Sequence, residues 1–241
     1  MTTLALRPLS ARSVVLSLLL GVHPAELSAA ALVRAGELFD VPETTLRAAV
    51  SRMVSAGDLV RDGSTYTLSE RLLNRQRRQD ESLRIDQVDW DGGWEQVVIT
   101  SSGRSASDRA ELRSTLAALR LAELREGVWL RPANLARPLP AWPADLITTF
   151  TVTPSEEPSE LSRRLWDVDG RAAHGRGLLE EMADPDTARA ALTLNAAVVR
   201  HLLADPALPR ELLPADWPSD ALRTAYDSYR SSLSASSVLA G

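Results

Sequence analysis

Thr44, Ala48 and Ser51 recur at four- and three-residue steps, with Thr45 beside them and Arg47 and Arg52 on their flanks. A rotation of about 100° per residue puts this set on the side of a helix opposite Leu46, Val50 and Met53. The outward side is then small, hydroxylic and basic. Small side chains permit close approach to a DNA major groove, while Arg reaches guanine edges or phosphates. Read alone, the same pattern is better described as a solvated helix face, and only the β-hairpin that follows it favours DNA.

Other residues able to do chemistry are few. The three histidines, His23, His174 and His201, form no pair at metal-ligand spacing, and the chain has no cysteine. G-x-S-x-G, Walker and G-x-G-x-x-G motifs are absent, which leaves nucleophilic-elbow, NTPase and dinucleotide-binding readings without a starting point. Glu156-Glu157 and Glu180-Glu181 are adjacent pairs that read as solvated. His201, after Arg200 on an apolar helix, fits either an anion-binding group or a satisfied interior side chain; Trp129 and Trp166 read as core anchors. No enzyme, metal or cofactor is implied.

The elements that would position the Arg-flanked face are legible. Ser10 can cap a helix over 11–20 that buries Val14, Val15, Leu18 and Leu19 and stops at Gly21. After Pro24, Ser28 can cap a second helix carrying Ala31, Leu32, Ala35 and Phe39, followed by a turn at Asp40-Val41. Pro42 suits the first position of a third helix, which ends at Gly57. Leu59-Val60-Arg61 and Thr65–Leu68 are β-type runs joined by the turn Asp62-Gly63-Ser64. Three helices and a hairpin predict a winged helix-turn-helix. Arg61 at the wing would touch phosphate, a contact that adds affinity without reading sequence. The segment 69–78, with Arg71, Arg75, Arg77 and Arg78, fits a further basic helix or a solvated linker face, and 79–89 reads as a linker.

A second unit begins beyond it. The pattern predicts strands over 94–100, 128–131 and 146–153 and helices over 108–121 and 158–166, an α+β sandwich of the ferredoxin-like kind without an evident final strand. From Trp166 onward the chain reads as helical, over 177–182, 186–204 and 219–231, with a proline-punctuated break at 205–218. The tail after Ser231 is Ser- and Ala-rich and is expected to fray. The expected fold class is therefore α+β multidomain: a head over 1–80, a central domain over 90–165 and a helical C-terminal domain over 166–241.

Composition agrees with a globular protein: of 241 residues, 44% are hydrophobic and 24% charged. All 27 basic residues are Arg, which points to a GC-rich coding genome. The net charge of −5 is uneven, since 1–80 hold 10 Arg against 8 acidic residues, +2, leaving 17 against 24, −7. That asymmetry favours nucleic-acid contact at the N-terminal end only weakly. Arg7 and Arg12 before the apolar run 14–22, with Ser28-Ala29-Ala30 after it, also fit a secretory leader, although the run serves equally as the first helix. No stretch reaches the roughly 20 apolar residues of a membrane span. The expected location is cytoplasmic.

Several segments together resemble the PaaX-type repressors of phenylacetic acid degradation. They are Ala11-Arg12-Ser13-Val14, Arg47-Ala48-Ala49-Val50-Ser51-Arg52-Met53, Asp89-Trp90-Asp91-Gly92-Gly93-Trp94, the run from Gly127 to Leu135, and Asp205-Pro206-Ala207-Leu208-Pro209 with the run from Leu212 to Pro218. The resemblance spans nearly the whole chain. It implies a winged-helix head, a central ferredoxin-like domain similar to a CRISPR adaptation nuclease, and a helical C-terminal domain. It further implies a homodimer that represses catabolic genes of aromatic degradation by binding double-stranded operator DNA until an aryl-acyl-coenzyme A releases it.

Two departures stand out. The family's wing is longer and richer in Arg than Arg61-Asp62-Gly63-Ser64-Thr65, and a Gly-Phe pair that follows Leu119 in the family is Arg120-Leu121 here. A nuclease reading needs a carboxylate after the first central strand to hold a divalent cation, and that position is Thr100-Ser101-Ser102-Gly103. The rival to the repressor is an interaction scaffold whose winged helix no longer binds DNA, a reading favoured by the lean wing and acidic total.

Overall fold

The computed structural model describes residue 6 and residues 9–101, 103 and 105–236. Arg7, Ser102 and the last five residues of the Ser- and Ala-rich tail, about which the sequence carried expectations, lie outside the described residues. The chain packs into two compact units: Met1–Arg84 with His174–Ala204 and Pro218–Gly241, and Ile85–Ala173 with Asp205–Trp217. The 166–241 stretch, a single block along the sequence, therefore contributes to both.

In the first unit, helix α1 (Ala11–Gly21) starts at Ser10, whose hydroxyl accepts from the Ser13 amide at 3.2 Å. The apolar run Val14–Leu20 becomes the centre of its core. Strand β1 (Glu26–Ser28) leads into α2 (Ala29–Leu38), capped by Ser28 through the Ala31 amide at 3.1 Å. β1 is too short to carry a periodic signal. Pro42 sits at the N-cap of α3 (Glu43–Ser55), one place before the helical position expected of it.

The hairpin follows as β2 (Leu59–Asp62) and β3 (Thr65–Leu68), paired from Leu59↔Leu68 to Asp62↔Thr65. β1 joins it on the other edge of β3, giving a three-stranded antiparallel sheet in the order β1-β3-β2. α4 (Glu70–Leu83) then buries Leu72, Gln76 and Gln79. The Gln76 amide donates to the carbonyls of Leu19, Leu20 and Val22 at 3.0–3.2 Å, satisfying acceptors that the end of α1 leaves open. The linker expected over 79–89 thus begins only after Leu83, because one face of α4 is anchored.

Gly36 explains how closely the second and third helices approach. A Cβ there would meet Leu46 Cδ2 and the Val41 carbonyl oxygen, both at 3.1 Å. The mid-helix glycine costs about 1 kcal/mol of helix propensity and in return lets α3 seat its buried stripe. Gly36→Val is expected to lower the unfolding free energy by about 1–3 kcal/mol, seen as an earlier urea midpoint at unchanged slope.

The first unit is completed by three helices from the C-terminal third: α7 (Val168–Met182), from His174 onward, α8 (Ala188–Leu203) and α9 (Ser219–Ala235). Leu178, Val198, Leu202, Leu222 and Tyr226 form their shared core, and Leu192 of α8 joins the α1 cluster. α7 starts well before Gly177, where the sequence predicted it, because its glycines are packing sites within a helix. A Cβ on buried Gly175 would come within 2.5 Å of Pro218 Cγ and 2.9 Å of His201 Nε2.

The second unit is built on a four-stranded antiparallel sheet in the order β5-β6-β4-β7, made of β4 (Trp94–Ile99), β5 (Ala122–Arg125), β6 (Val128–Pro132) and β7 (Ile147–Val152). The strand missing from the sequence reading is β5, an edge strand that is second of the four along the chain rather than last. α5 (Ala106–Ala118) covers one face through Leu112 and Leu116 against Val97, Trp129 and Ile147. α6 (Pro158–Leu165) covers the other, where Leu161 packs on Trp94 and Leu130. Trp166 stacks on Trp94 with ring centroids 6.4 Å apart.

α5 stops at Ala118 rather than at Leu121 because Arg120 adopts φ +67°, a left-handed conformation that glycine takes without cost. The Arg120 guanidinium donates to the Asp205 carbonyl, a bond that offsets part of that strain and holds the proline-rich segment in the second unit.

Candidate nucleic-acid interface

Every outward position expected on the third helix is at the surface. Thr44, Thr45, Arg47, Ala48, Ser51 and Arg52 are exposed, whereas Leu46, Ala49, Val50 and Met53 are buried. The helix is thus fixed from behind by its apolar stripe, with its small hydroxylic side toward solvent. Arg47 donates from Nε to Glu43 Oε1 at 2.6 Å, one helical turn earlier. The Arg52 side chain makes no hydrogen bond or ion pair among the described residues, so its guanidinium can engage an incoming anion without leaving an internal partner.

Beside the helix stands the hairpin. Arg61 is exposed, donates from Nε to the Gly63 carbonyl at 2.9 Å, and lies with Cζ 5.9 Å from the centroid of the cross-strand Tyr66 ring. Gly63 takes φ +55° at the tip, a value that suits glycine in a tight hairpin. The Ser64 carbonyl accepts from the Ala29 amide at 2.7 Å, tying the tip back to the start of α2. The hairpin is short and held.

The residue that joins α3 to the hairpin escaped the sequence reading. Asp58 is only 4% exposed and receives Arg12 at 2.8 Å and Arg71 on its other oxygen. Its amide donates to the Met53 carbonyl and its carbonyl accepts from the Ser69 amide, both at 2.9 Å. One residue therefore ties α1 to α4 through its carboxylate and the end of α3 to the segment after the hairpin through its backbone. In sequence, Asp58 follows Gly57 and reads as an ordinary turn residue.

The remaining candidates fall elsewhere. His201 is buried, with its ring 5.4 Å from that of His174, in the interior formed by the C-terminal helices. Among the described residues no group of three or more His, Asp or Glu could hold a metal ion. Nor is any helix long and apolar enough to cross a membrane.

The segments that carry the family resemblance in the second unit are structural. Arg131, 1% exposed, pairs with Glu95 and donates to the carbonyls of Leu119 at 2.7 Å and Arg137 at 3.2 Å. Asn134 and Gln87 both donate to the Ala207 carbonyl, at 2.9 and 3.0 Å, and Asp205 Oδ1 accepts from the Ala207 amide at 2.7 Å. These polar side chains clamp the proline-rich segment within the second unit.

Three family models match the chain in order: PaaX-like protein over residues 10–72, the PaaX protein central Cas2-like domain over 87–154, and the PaaX-like protein C-terminal domain over 172–238. Among characterised proteins, the transcriptional repressor PaaX of Escherichia coli (strain K12) is 27% identical over 213 residues, covering 75% of this chain. The match spans 66% of that repressor, slightly less than two thirds of its length. Among solved structures, the uncharacterized protein Rv0674 from Mycobacterium tuberculosis is 47% identical, with a TM-score of 0.81 over 93% of this chain and 96% of that one.

Proposed function

The chain belongs to the PaaX family, and from that membership we propose that it is a transcription repressor that binds operator DNA through α3. In this reading the first unit carries a winged helix-turn-helix, with α2 and α3 as the helix pair and β2-β3 as the wing. The central sheet is the ferredoxin-like, Cas2-like part and serves as a scaffold rather than a nuclease. The observation that carries the proposal is the exposed set Thr44, Thr45, Arg47, Ala48, Ser51 and Arg52 on a helix whose opposite side is buried.

Small residues let the helix backbone approach base edges, and Arg47 and Arg52 supply guanidinium donors for guanine or phosphate. Arg61 adds a phosphate contact from the wing. The protein acts as a homodimer, so its operator is an inverted repeat with half-sites about one helical turn, roughly 34 Å, apart or a multiple of that. An aryl-acyl-coenzyme A releases it by favouring a dimer geometry whose heads no longer match that spacing. Such an effector shifts the balance only by its differential affinity for the two geometries. Calorimetry with a panel of aryl-acyl thioesters tests the effector class: none binding, together with release by a free acid or a sugar, would replace it.

Salt dependence separates repressor from scaffold. Phosphate contacts release counterions, so a gel shift on DNA from upstream of the gene is expected to lose affinity steeply between about 50 and 200 mM salt. A flat response would favour the scaffold.

The Glu43–Arg47 pair allows a prediction of unusual sign. Glu43 both occupies Arg47 and places a negative charge beside the approaching backbone. Glu43→Gln is expected to tighten DNA binding about threefold at low salt, with the gain fading as screening increases. Weaker binding in the gel shift would contradict this account of the helix start.

A further inference from the structure

Between α3 and the hairpin the first unit has a cleft of about 230 Å³. Its apolar walls are Leu32 and Val33 of α2, Val50 and Val54 of α3, and the Tyr66 ring. Arg47, Arg61, Ser51 and Ser55 complete the lining. We propose that this cleft binds a small carboxylate with an apolar body and that the bound acid and DNA exclude one another.

The chemistry follows from what the cleft offers and what DNA cannot use. A duplex brings phosphates, sugars and base edges to this surface, and none of them fills an apolar recess behind the exposed residues of α3. Apolar atoms that displace water from those walls bind favourably. The polar part of the lining is cationic and hydroxylic, with no carboxylate in it. Arg61 is already oriented by the Gly63 carbonyl through Nε and by the face of Tyr66, which leaves its terminal nitrogens for a fork-shaped partner. A carboxylate matches that fork with two parallel hydrogen bonds. Ser51 and Ser55, one helical turn apart on α3, add two hydroxyl donors to the same lining.

Size narrows the class. Drug-sized ligands occupy pockets of about 300–1,000 Å³, so this cleft suits a smaller molecule such as a monocyclic aryl acid. A coenzyme A thioester fails on two counts: its acyl group carries no free carboxylate, and its nucleotide portion exceeds the space. The acid is therefore a second ligand, distinct from the thioester effector. Exclusion of DNA follows because the acid would engage Arg47, Ser51 and Arg61, three of the residues assigned to DNA contact. This last step rests on the reading that α3 faces the duplex.

Phenylacetate is a suitable probe, with phenylacetamide as the uncharged analogue and acetate as the charge without an apolar body. Full-length protein is tested for binding by equilibrium dialysis without DNA, then by gel shift at constant ionic strength. Phenylacetate is expected to bind free protein and, at about ten times its dissociation constant, to raise the apparent DNA Kd about 100-fold by mass action, because both heads of the dimer must be free. At the same concentrations both analogues should change it less than about twofold. Ser55→Trp, which fills the cleft from an exposed position, and Arg61→Ala should each weaken phenylacetate binding at least about tenfold with unaltered circular dichroism.

The outcomes are separable. Failure of phenylacetate to bind, binding unaltered in either variant, or equal effects of acetate would overturn the ligand site whatever α3 does. Binding lost in both variants but without effect on DNA affinity would keep the ligand site and overturn both the exclusion and the DNA-facing role of α3.

Discussion

Arg47→Ala with Arg52→Ala is expected to weaken operator binding by about 1,000-fold or more in a gel shift, because each guanidinium contact to a base or phosphate contributes about 1–3 kcal/mol and the dimer makes four of them. Both side chains are exposed, so the melting temperature should stay within a degree or two of wild type. The two residues should not contribute equally. Arg52 has no internal partner among the described residues, whereas Arg47 must exchange Glu43 for DNA. Arg52→Ala alone is therefore expected to be the more damaging single change, and the Arg47→Ala loss should grow in a Glu43→Gln background, where Arg47 has no ion-pair partner to give up. Unchanged affinity and sequence preference in the double variant would remove α3 from the interface.

Asp58→Ala should have the largest effect on stability among substitutions around this site. It deletes a buried carboxylate that receives two guanidiniums. Hydrogen bonds to charged groups contribute about 1.5–3 kcal/mol each, and here the gain is reduced because Arg12 and Arg71 are more than half exposed and regain water when released. The net loss is expected to be about 2–3 kcal/mol, measured by urea unfolding. DNA affinity should fall as well, since the Asp58 backbone links Met53 at the end of α3 to Ser69 after the hairpin. Asp58→Asn keeps the shape and one acceptor, so its loss should be smaller. If both variants unfold at the wild-type midpoint, the clamp contributes nothing.

The helix that carries the proposed interface was legible because its signal is periodic. Leu46, Val50 and Met53 fix one side of α3, and the opposite side follows by rotation alone. The hairpin was legible from Asp62-Gly63-Ser64 between two β-prone runs. What escaped was set by packing between segments distant in sequence. Ala122-Glu123-Leu124-Arg125 are all good helix formers, yet they form β5 because β6 offers an edge to pair with, across a turn where Gly127 takes φ +79°.

Asp58 and Gly36 show the same limit at the site itself. Neither residue type announces its role. Asp58 depends on Arg12 and Arg71 arriving from other helices, and Gly36 on the approach of Leu46. The C-terminal helices add a further case: α8 and α9 are visible as helices, but nothing in their pattern says that Leu192 and Tyr229 pack with the core of α1. The proposed acid cleft is likewise assembled from α2, α3 and both hairpin strands, so no local motif could disclose it.

Because the chain has no cysteine, Ser51→Cys creates a single attachment point at the centre of the exposed face of α3. An iron chelate tethered there cuts DNA within its reach, and the cut positions report directly where that face lies on the operator. The account predicts two clusters of cuts, symmetric about the operator centre and about one helical turn or a multiple of it apart, each at the major groove of a half-site. Cutting that is absent or spread evenly along bound DNA, while a chelate on Ser231→Cys of α9 cuts as strongly, would contradict it.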